Sequence, residues 1–258
     1  MAAVLLLTGA AGLVYEVAWQ RYLSALVGVD HAATAATLAV FLGGLSLGYA
    51  ICGGLSARST RPLLTYAWLE VAIGLWGLAF PWTFAATERV ARGWSFSPPF
   101  GLIVASLGAA VPLILVPAML MGATVPFMTR GLATSLSGLT ATHARVYGLN
   151  TLGAVAGALG AGFLILPAVG PGGSVRLAAA MNLVAALILL AMPATRVPVS
   201  TARPSEAGVP AAPRRFPVPV LATFALLSGV ATMAQENALI RLLGLAIGGT
   251  PFVFALVV

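Results

Sequence analysis

Five charged side chains interrupt long apolar stretches of this sequence, and they are its first candidates for chemistry. They are Glu16, Arg21, Glu70, Glu236 and Arg241. A charged side chain at the centre of an apolar helix in a bilayer costs at least about 2.5–3.5 kcal/mol on insertion scales. Such groups therefore face a protein interior, where they pair with one another or bind a ligand.

Four of these residues belong to a duplicated pattern. Residues 8–21 and 228–241 align with an offset of 220 positions (236 − 16). The alignment superposes one acid and one arginine: Glu16 on Glu236, and Arg21 on Arg241. Under a two-fold axis along the membrane normal, Glu16 faces Arg241 and Glu236 faces Arg21. These residues then form structural ion pairs between the two copies, take part in binding or transport, or snorkel to the membrane surface.

The third acid, Glu70, lies among aromatic residues early in an apolar stretch. Together with Tyr15 and Trp19 it predicts an acidic, aromatic-lined cavity, which suits an organic cation through carboxylate pairing and attraction to ring faces. Alternatively, a hydroxyl or an arginine satisfies Glu70, and the rings are ordinary packing. The candidate substrate-binding residues are Glu16, Glu70, Glu236, Tyr15 and Trp19.

Catalytic, metal and cofactor motifs have little support. His31 and His143 are too isolated to form a metal pair, and the single Cys52 excludes an internal disulfide and a multi-cysteine zinc site. The glycine-rich run 170–173 follows no strand, so it predicts a turn rather than a phosphate cradle. We therefore assign no catalytic residue, no metal ligand and no cofactor.

The elements that carry the candidate residues are membrane-spanning helices. Hydrophobic residues make up 60% of the 258 residues and charged residues 7%, and the mean hydropathy is +1.03. An ordinary soluble domain has about 25% charged residues, so a soluble enzyme, a disordered chain and a disulfide scaffold are excluded. Seven stretches are long enough to span a bilayer: 3–27, 32–55, 63–86, 102–128, 146–168, 174–193 and 217–247.

The distribution of arginine predicts the orientation. The net charge is +7, and all basic residues are arginines that lie between apolar runs, which indicates a membrane protein rather than a nucleic-acid partner. Eight arginines fall in the loops after the second, fourth and sixth spans, and three fall in the others. We therefore expect a multi-pass protein of a bacterial-type inner (plasma) membrane, embedded in the lipid bilayer, with its amino terminus in the cytoplasm.

The chain divides at a proline- and arginine-rich segment. Residues 1–193 form a six-helix unit, 194–216 a flexible cytoplasmic linker, and 217–258 the start of a second unit. Six spans separate the two copies of the pattern, so both copies run in the same direction, as in the halves of major-facilitator transporters. An eighth span begins at 250–251 and stops at Val258, which predicts a truncated second repeat.

Several stretches, taken together, resemble the membrane domain of fused MFS/spermidine synthase-like proteins. The matching stretches are GLVYEVAWQR (12–21), FLGGLSLG (41–48), LMGATVP (120–126) and YGLNTLGAVAG (147–157). The resemblance covers most of 8–190 and recurs at 228–248. It implies an all-α bundle, often followed by a cytoplasmic aminopropyltransferase-like domain that transfers an aminopropyl group to putrescine.

This resemblance implies a function for the chain. No residue here matches the aminopropyltransferase domain, so no catalytic residue is carried over and enzymatic activity stays open. The segment 53–62 also resembles the loop between the second and third helices of facilitators, but it lacks the acid expected there. We expect a membrane domain that moves or presents a polyamine-like cation. The alternative is a non-transporting anchor for a cytoplasmic spermidine synthase domain.

Overall fold

The described residues of the computed structural model form eight α-helices and a short π-helical turn. The structure describes residues 1–27, 30–93, 99–133, 138–192, 217–248 and 251–258, and these contain no strand. The helices are α1 (Ala2–Val27), α2 (Asp30–Arg58), α3 (Pro62–Arg92), α4 (Pro99–Leu132), α5 (Leu139–Gly160), α6 (Leu166–Ala191), α7 (Val218–Ile247) and α8 (Pro251–Val257). The predicted all-α fold is confirmed, whereas the linker 194–216 falls outside the described residues.

Five helical segments in the described ranges are long and apolar enough to cross a membrane. They are Ala2–Leu26, Ala33–Arg58, Pro62–Arg92, Gly108–Leu132 and Thr140–Ala191. At 1.5 Å per residue, a helix of about 20 residues crosses the hydrocarbon core of a bilayer. The chain therefore has the composition and helix lengths of a multi-pass membrane bundle.

The fifth segment contains both predicted spans, 146–168 and 174–193, and its break lies between them. α5 continues through a π-helical turn at Ala161–Ile165 directly into α6, and the backbone leaves the helical conformation at Gly170. Gly170 has φ 66° and ψ 179°, a conformation that glycine adopts readily because it has no Cβ. The Ser174 hydroxyl donates a hydrogen bond to the Gly170 carbonyl at 2.8 Å. The turn expected at 170–173 is therefore a single break.

Glycines bring two pairs of helices into backbone contact. A Cβ on Gly153 or Gly157 of α5 would meet a backbone carbonyl of α1, at Leu6 and Ala10 respectively. A Cβ on Gly48 of α2 would likewise meet the Met119 carbonyl of α4. These glycines of α2 and α5 therefore allow close helix crossings.

The packing of α7 differs from that of the first six helices. α1 to α6 surround two buried apolar clusters, one of which contains Val14, Trp19 and Phe80. α7 contacts α2 and α8, and it adds Met233 and Ile240 to the edge of that cluster. Most other side chains of α7 are exposed.

Candidate functional site

A cavity of about 920 Å³ lies between the helices. Seven helices, α1 to α7, contribute residues to its wall. Tyr49 lies late in α2 and His143 early in α5, so the cavity lies toward the end of the bundle where α2 leads to α3 and α4 leads to α5. Glu70 is its one acidic wall residue.

Glu70 is held by a hydrogen-bond network that joins three helices. The Asn182 side-chain Nδ2 of α6 donates to Glu70 Oε2 at 2.5 Å. The Tyr66 hydroxyl, one helical turn before Glu70 on the same face of α3, also hydrogen-bonds the carboxyl group. Tyr66 in turn lies 3.0 Å from the Thr8 hydroxyl of α1. These contacts fix the carboxyl group at the cavity wall.

One polar atom beside Glu70 has no hydrogen-bond partner among the described residues. It is Asn182 Oδ1, and Asn182 is 2% exposed and lines the cavity. An amide that donates to Glu70 must direct its oxygen elsewhere, so Asn182 holds a buried, unpartnered acceptor next to the carboxyl group. The hydroxyl of Tyr15 also has no partner, and it lies against Gly77, seven residues after Glu70 on α3.

Three rings form a second group on the cavity wall. The His143 ring lies 6.1 Å from the Tyr49 ring and 6.5 Å from the Tyr147 ring, measured between centroids. The Thr129 hydroxyl and His143 Nδ1 are 3.1 Å apart, which orients the imidazole. His143 and Tyr147 are one turn apart on α5, but no sequence signal joins them to Tyr49 of α2 or Thr129 of α4.

The aromatic residues that were predicted to line an acidic cavity, Tyr15 and Trp19, lie in the buried apolar cluster. Tyr15 and Trp19 stack on each other with centroids 5.1 Å apart, and both are 0% exposed. Trp19 also lies against Phe41 at 6.1 Å and Phe80 at 5.7 Å. Neither Tyr15 nor Trp19 is a wall residue of the cavity. They form a packed core, as the alternative of ordinary packing describes.

The structure does not form the expected ion pairs between the two copies. In the described ranges the one charged pair within 4.0 Å is Glu88 with Arg92, at 2.7 Å. Glu16 is 1% exposed, and no arginine of the described residues lies within 4.0 Å of Glu16 or Glu236. The structure therefore forms neither the Glu16–Arg241 nor the Glu236–Arg21 contact within that distance.

Corresponding positions of the two copies contribute to the same cavity. Gly9 and Gly229, Gly12 and Thr232, and Leu13 and Met233 are three pairs separated by 220 positions, and all six residues line the wall. Glu16 and Glu236 follow Leu13 and Met233 by three residues each and do not line it. The acids therefore lie about one helical turn beyond the cavity wall, or about 4.5 Å further along each helix.

Sequence reasoning missed most partners of Glu70. Asn182 has the signal of a polar residue in an apolar span, which predicts an interhelical hydrogen bond without naming its partner. Tyr66 has a clearer signal, since it precedes Glu70 by four residues on one helix face. No group of three or more His, Cys, Asp or Glu in the described part of the chain is placed to hold a metal ion.

The fold and the cavity together define an all-α bundle with the character of a multi-pass membrane protein and one buried acidic site. No family model, curated protein or solved structure matches the chain.

Proposed function

We propose that this chain is a membrane domain that binds a polyamine-like organic cation in the cavity, with Glu70 as the carboxylate that receives it. The observation that carries this proposal is the pair of acceptors at the cavity wall, the Glu70 carboxylate and the unpartnered Asn182 Oδ1. A protonated amine has only donors, so it complements two adjacent acceptors. A cavity of about 920 Å³ lies within the range of small-molecule sites.

The remaining wall supports the same ligand class. Tyr49, His143 and Tyr147 are wall residues of the cavity, and a cation gains about 0.5–2 kcal/mol over an aromatic face. Glu70 is the one charged residue among the wall residues, so the wall favours positive ligands over anions. The resemblance of 12–21 and 147–157 to spermidine synthase-like membrane proteins supports a polyamine within that class.

The proposed architecture is a major-facilitator-like half followed by the start of a parallel second half, with the amino terminus in the cytoplasm. Support comes from the three cavity-lining pairs at an offset of 220. The excess of arginine in the loops that include Arg58, Arg61 and Arg145 supports the cytoplasmic position of the amino terminus. On this orientation the cavity lies on the cytoplasmic side.

Equilibrium binding of radiolabelled spermidine and putrescine to the detergent-purified chain tests the proposal. Glu70→Gln should weaken binding about ten- to a hundredfold, since hydrogen bonds to charged groups contribute about 1.5–3 kcal/mol. Glu88→Gln is the matched control, because Glu88 pairs with Arg92 away from the cavity. No polyamine binding by the wild-type chain would refute the proposal and favour the anchor.

Uptake into proteoliposomes then separates movement from presentation. A transporting domain accumulates labelled polyamine, and Glu70→Gln abolishes the accumulation. A domain that binds polyamine without uptake presents the ligand to a partner, such as a cytoplasmic aminopropyltransferase.

A further inference from the structure

The ring cluster, formed by Tyr49, His143 and Tyr147, leaves ring surface uncovered at the cavity wall. Tyr49 is 45% exposed and Tyr147 is 60% exposed. The planes of the Tyr49 and His143 rings are inclined by 66°, with centroids 6.1 Å apart, so the two rings form a corner. The Tyr147 ring lies beside His143 at an interplanar angle of 23°. Because all three residues line the cavity, this ring surface is available to a ligand.

The ring cluster lies across α1 from the Glu70 site. The Thr8 hydroxyl of α1 is 3.0 Å from the Tyr66 hydroxyl, which belongs to the Glu70 network on α3. The next residue, Gly9, lies directly against the backbone carbonyl of Asn150 on α5. Asn150 follows the last residue of the ring cluster by about one helical turn. One turn of α1 therefore meets the Glu70 network on one side and the ring-bearing helix on the other.

Helix packing keeps Glu70 and the ring cluster apart at a similar depth. α3 packs against α4 and α6, whereas α2 packs mainly against α4, and α5 mainly against α1. Glu70 and Tyr147 are each eight residues from the first residue of their helix (70 − 62 and 147 − 139), or about 12 Å from the same end of the bundle. They are thus separated across the bundle by about the width of one helix, ~10 Å. A single ammonium group cannot contact both.

We propose that the ring cluster is a second cation subsite, so that the cavity selects linear ligands with two ammonium groups a helix width apart. One ammonium group meets the Glu70 carboxylate. The other lies in the corner between Tyr49 and His143, against ring faces that attract positive charge. This inference rests on the proposed function, because it takes the Glu70 site as its first subsite. It adds that the ligand has two charges, and that the tyrosines Tyr49 and Tyr147 select for the second.

Two ligands that differ only at one end test the proposal on the wild-type chain. Diaminooctane and aminooctanol have the same eight-carbon chain, but aminooctanol has a neutral hydroxyl group in place of one ammonium group. The extended diamine holds its nitrogens about one helix width, ~10 Å, apart. Competition with radiolabelled spermidine measures both affinities, and protein-free micelles correct for uptake into the detergent. Beyond the twofold statistical advantage of a symmetric ligand, the diamine should bind about two- to thirtyfold more tightly.

A four-carbon pair of ligands controls for length. Diaminobutane is too short to reach both subsites, so it should bind no more tightly than aminobutanol once the statistical factor is removed. A preference for the diamine at four carbons would overturn the separation of the subsites. Equal binding of the eight-carbon pair, with Glu70→Gln weakening both ligands, would overturn this inference and leave the proposed function intact. No binding of any amine would refute both.

Ring substitutions assign the preference to the ring cluster. Tyr49→Leu and Tyr147→Leu should each reduce the preference for diaminooctane and together abolish it, whereas Tyr49→Phe should keep it because the ring face remains. Trp82→Leu is the matched control, since Trp82 is an exposed ring of α3 outside the cavity wall. If Tyr49→Leu weakens diaminooctane and aminooctanol by the same factor, the ring only shapes the cavity and the proposal is wrong.

Discussion

Leu13 and Met233 are 220 positions apart in the chain, yet both line one cavity, and each precedes a glutamate by three residues. Their helices, α1 and α7, thus present equivalent positions to the same space. The sequence shows that a short pattern is duplicated. The structure shows that residues of both copies line the same cavity. In each copy, the wall residues lie about one helical turn before the glutamate.

Single cysteines should report this shared wall. In a Cys52→Ser background, cysteines at Leu13 and at Met233 should both react with a small water-soluble thiosulfonate, because a cavity of about 920 Å³ with polar wall residues has room for water. A cysteine at Val17, which is 1% exposed and outside the wall, is the matched control and should react at least tenfold more slowly. Mass spectrometry of the modified chain measures the extent of reaction. Reaction at Leu13 but not at Met233 would mean that α7 does not contribute to the cavity in solution.

The bond between Asn182 and Glu70 should contribute measurably to stability. Asn182→Ala should lower the free energy of unfolding by about 1.5–3 kcal/mol, because it leaves the buried Glu70 carboxyl without its closest donor. Asn237→Ala is the control, since Asn237 donates only to the Met233 carbonyl of its own helix at 2.9 Å. Chemical unfolding in mixed micelles provides the free energies.

A double-mutant cycle tests whether the effect arises from that contact. If the two side chains interact, Asn182→Ala should cost less in a Glu70→Gln background than in the wild type. Strictly additive effects would show that the contact contributes nothing to stability.

Two glycines of α2 should respond in opposite directions to the same substitution. Gly48→Ala should destabilise the chain by about 1–3 kcal/mol, because its Cβ would meet the Met119 carbonyl and push α2 from α4. Gly54→Ala meets nothing within 4 Å and should be neutral or stabilise by up to about 1 kcal/mol through helix propensity. Melting temperatures of the two variants measure the difference. Equal shifts would argue against the close α2–α4 crossing.

The predicted orientation, with the amino terminus in the cytoplasm, should be measurable by labelling cysteines in intact and lysed cells. In the same Cys52→Ser background, a cysteine at Thr60 between α2 and α3 should be protected from an impermeant maleimide in intact cells. One at Gly93, at the end of α3, should be labelled. Both residues are exposed in the structure, so lysis should make both reactive. The reverse pattern would place the amino terminus outside.

Much of the fold follows from composition and periodicity. Stretches of about 20 apolar residues predict helices, because backbone N–H and C=O groups in lipid must form hydrogen bonds within their own segment. The break at Gly170 lies within the predicted turn 170–173, whereas the π-helical turn at Ala161–Ile165 did not follow from periodicity. A glycine-proline pair indicates a turn, but the tertiary contacts decide how many residues leave the helix.

Less of the candidate site was predictable. Glu70 was identified because an acid in an apolar span needs a partner. The partner, Asn182, is 112 positions away on a helix whose rotation depends on packing. Helix rotation also decides the position of Tyr15 and Trp19, which the sequence could not predict. Their rings pack into the core with Phe41 and Phe80 rather than into the cavity.

The sequence by itself determined which residues are costly to bury and on which helices they lie, because hydropathy and residue order need no knowledge of neighbours. Only the tertiary structure decided which of them meet. It placed Glu70 with Asn182, and it left Glu16 and Glu236 without an arginine within 4.0 Å. The physical reason is that helix rotation and depth are set by close packing of glycines and rings between helices, and no single segment contains that information.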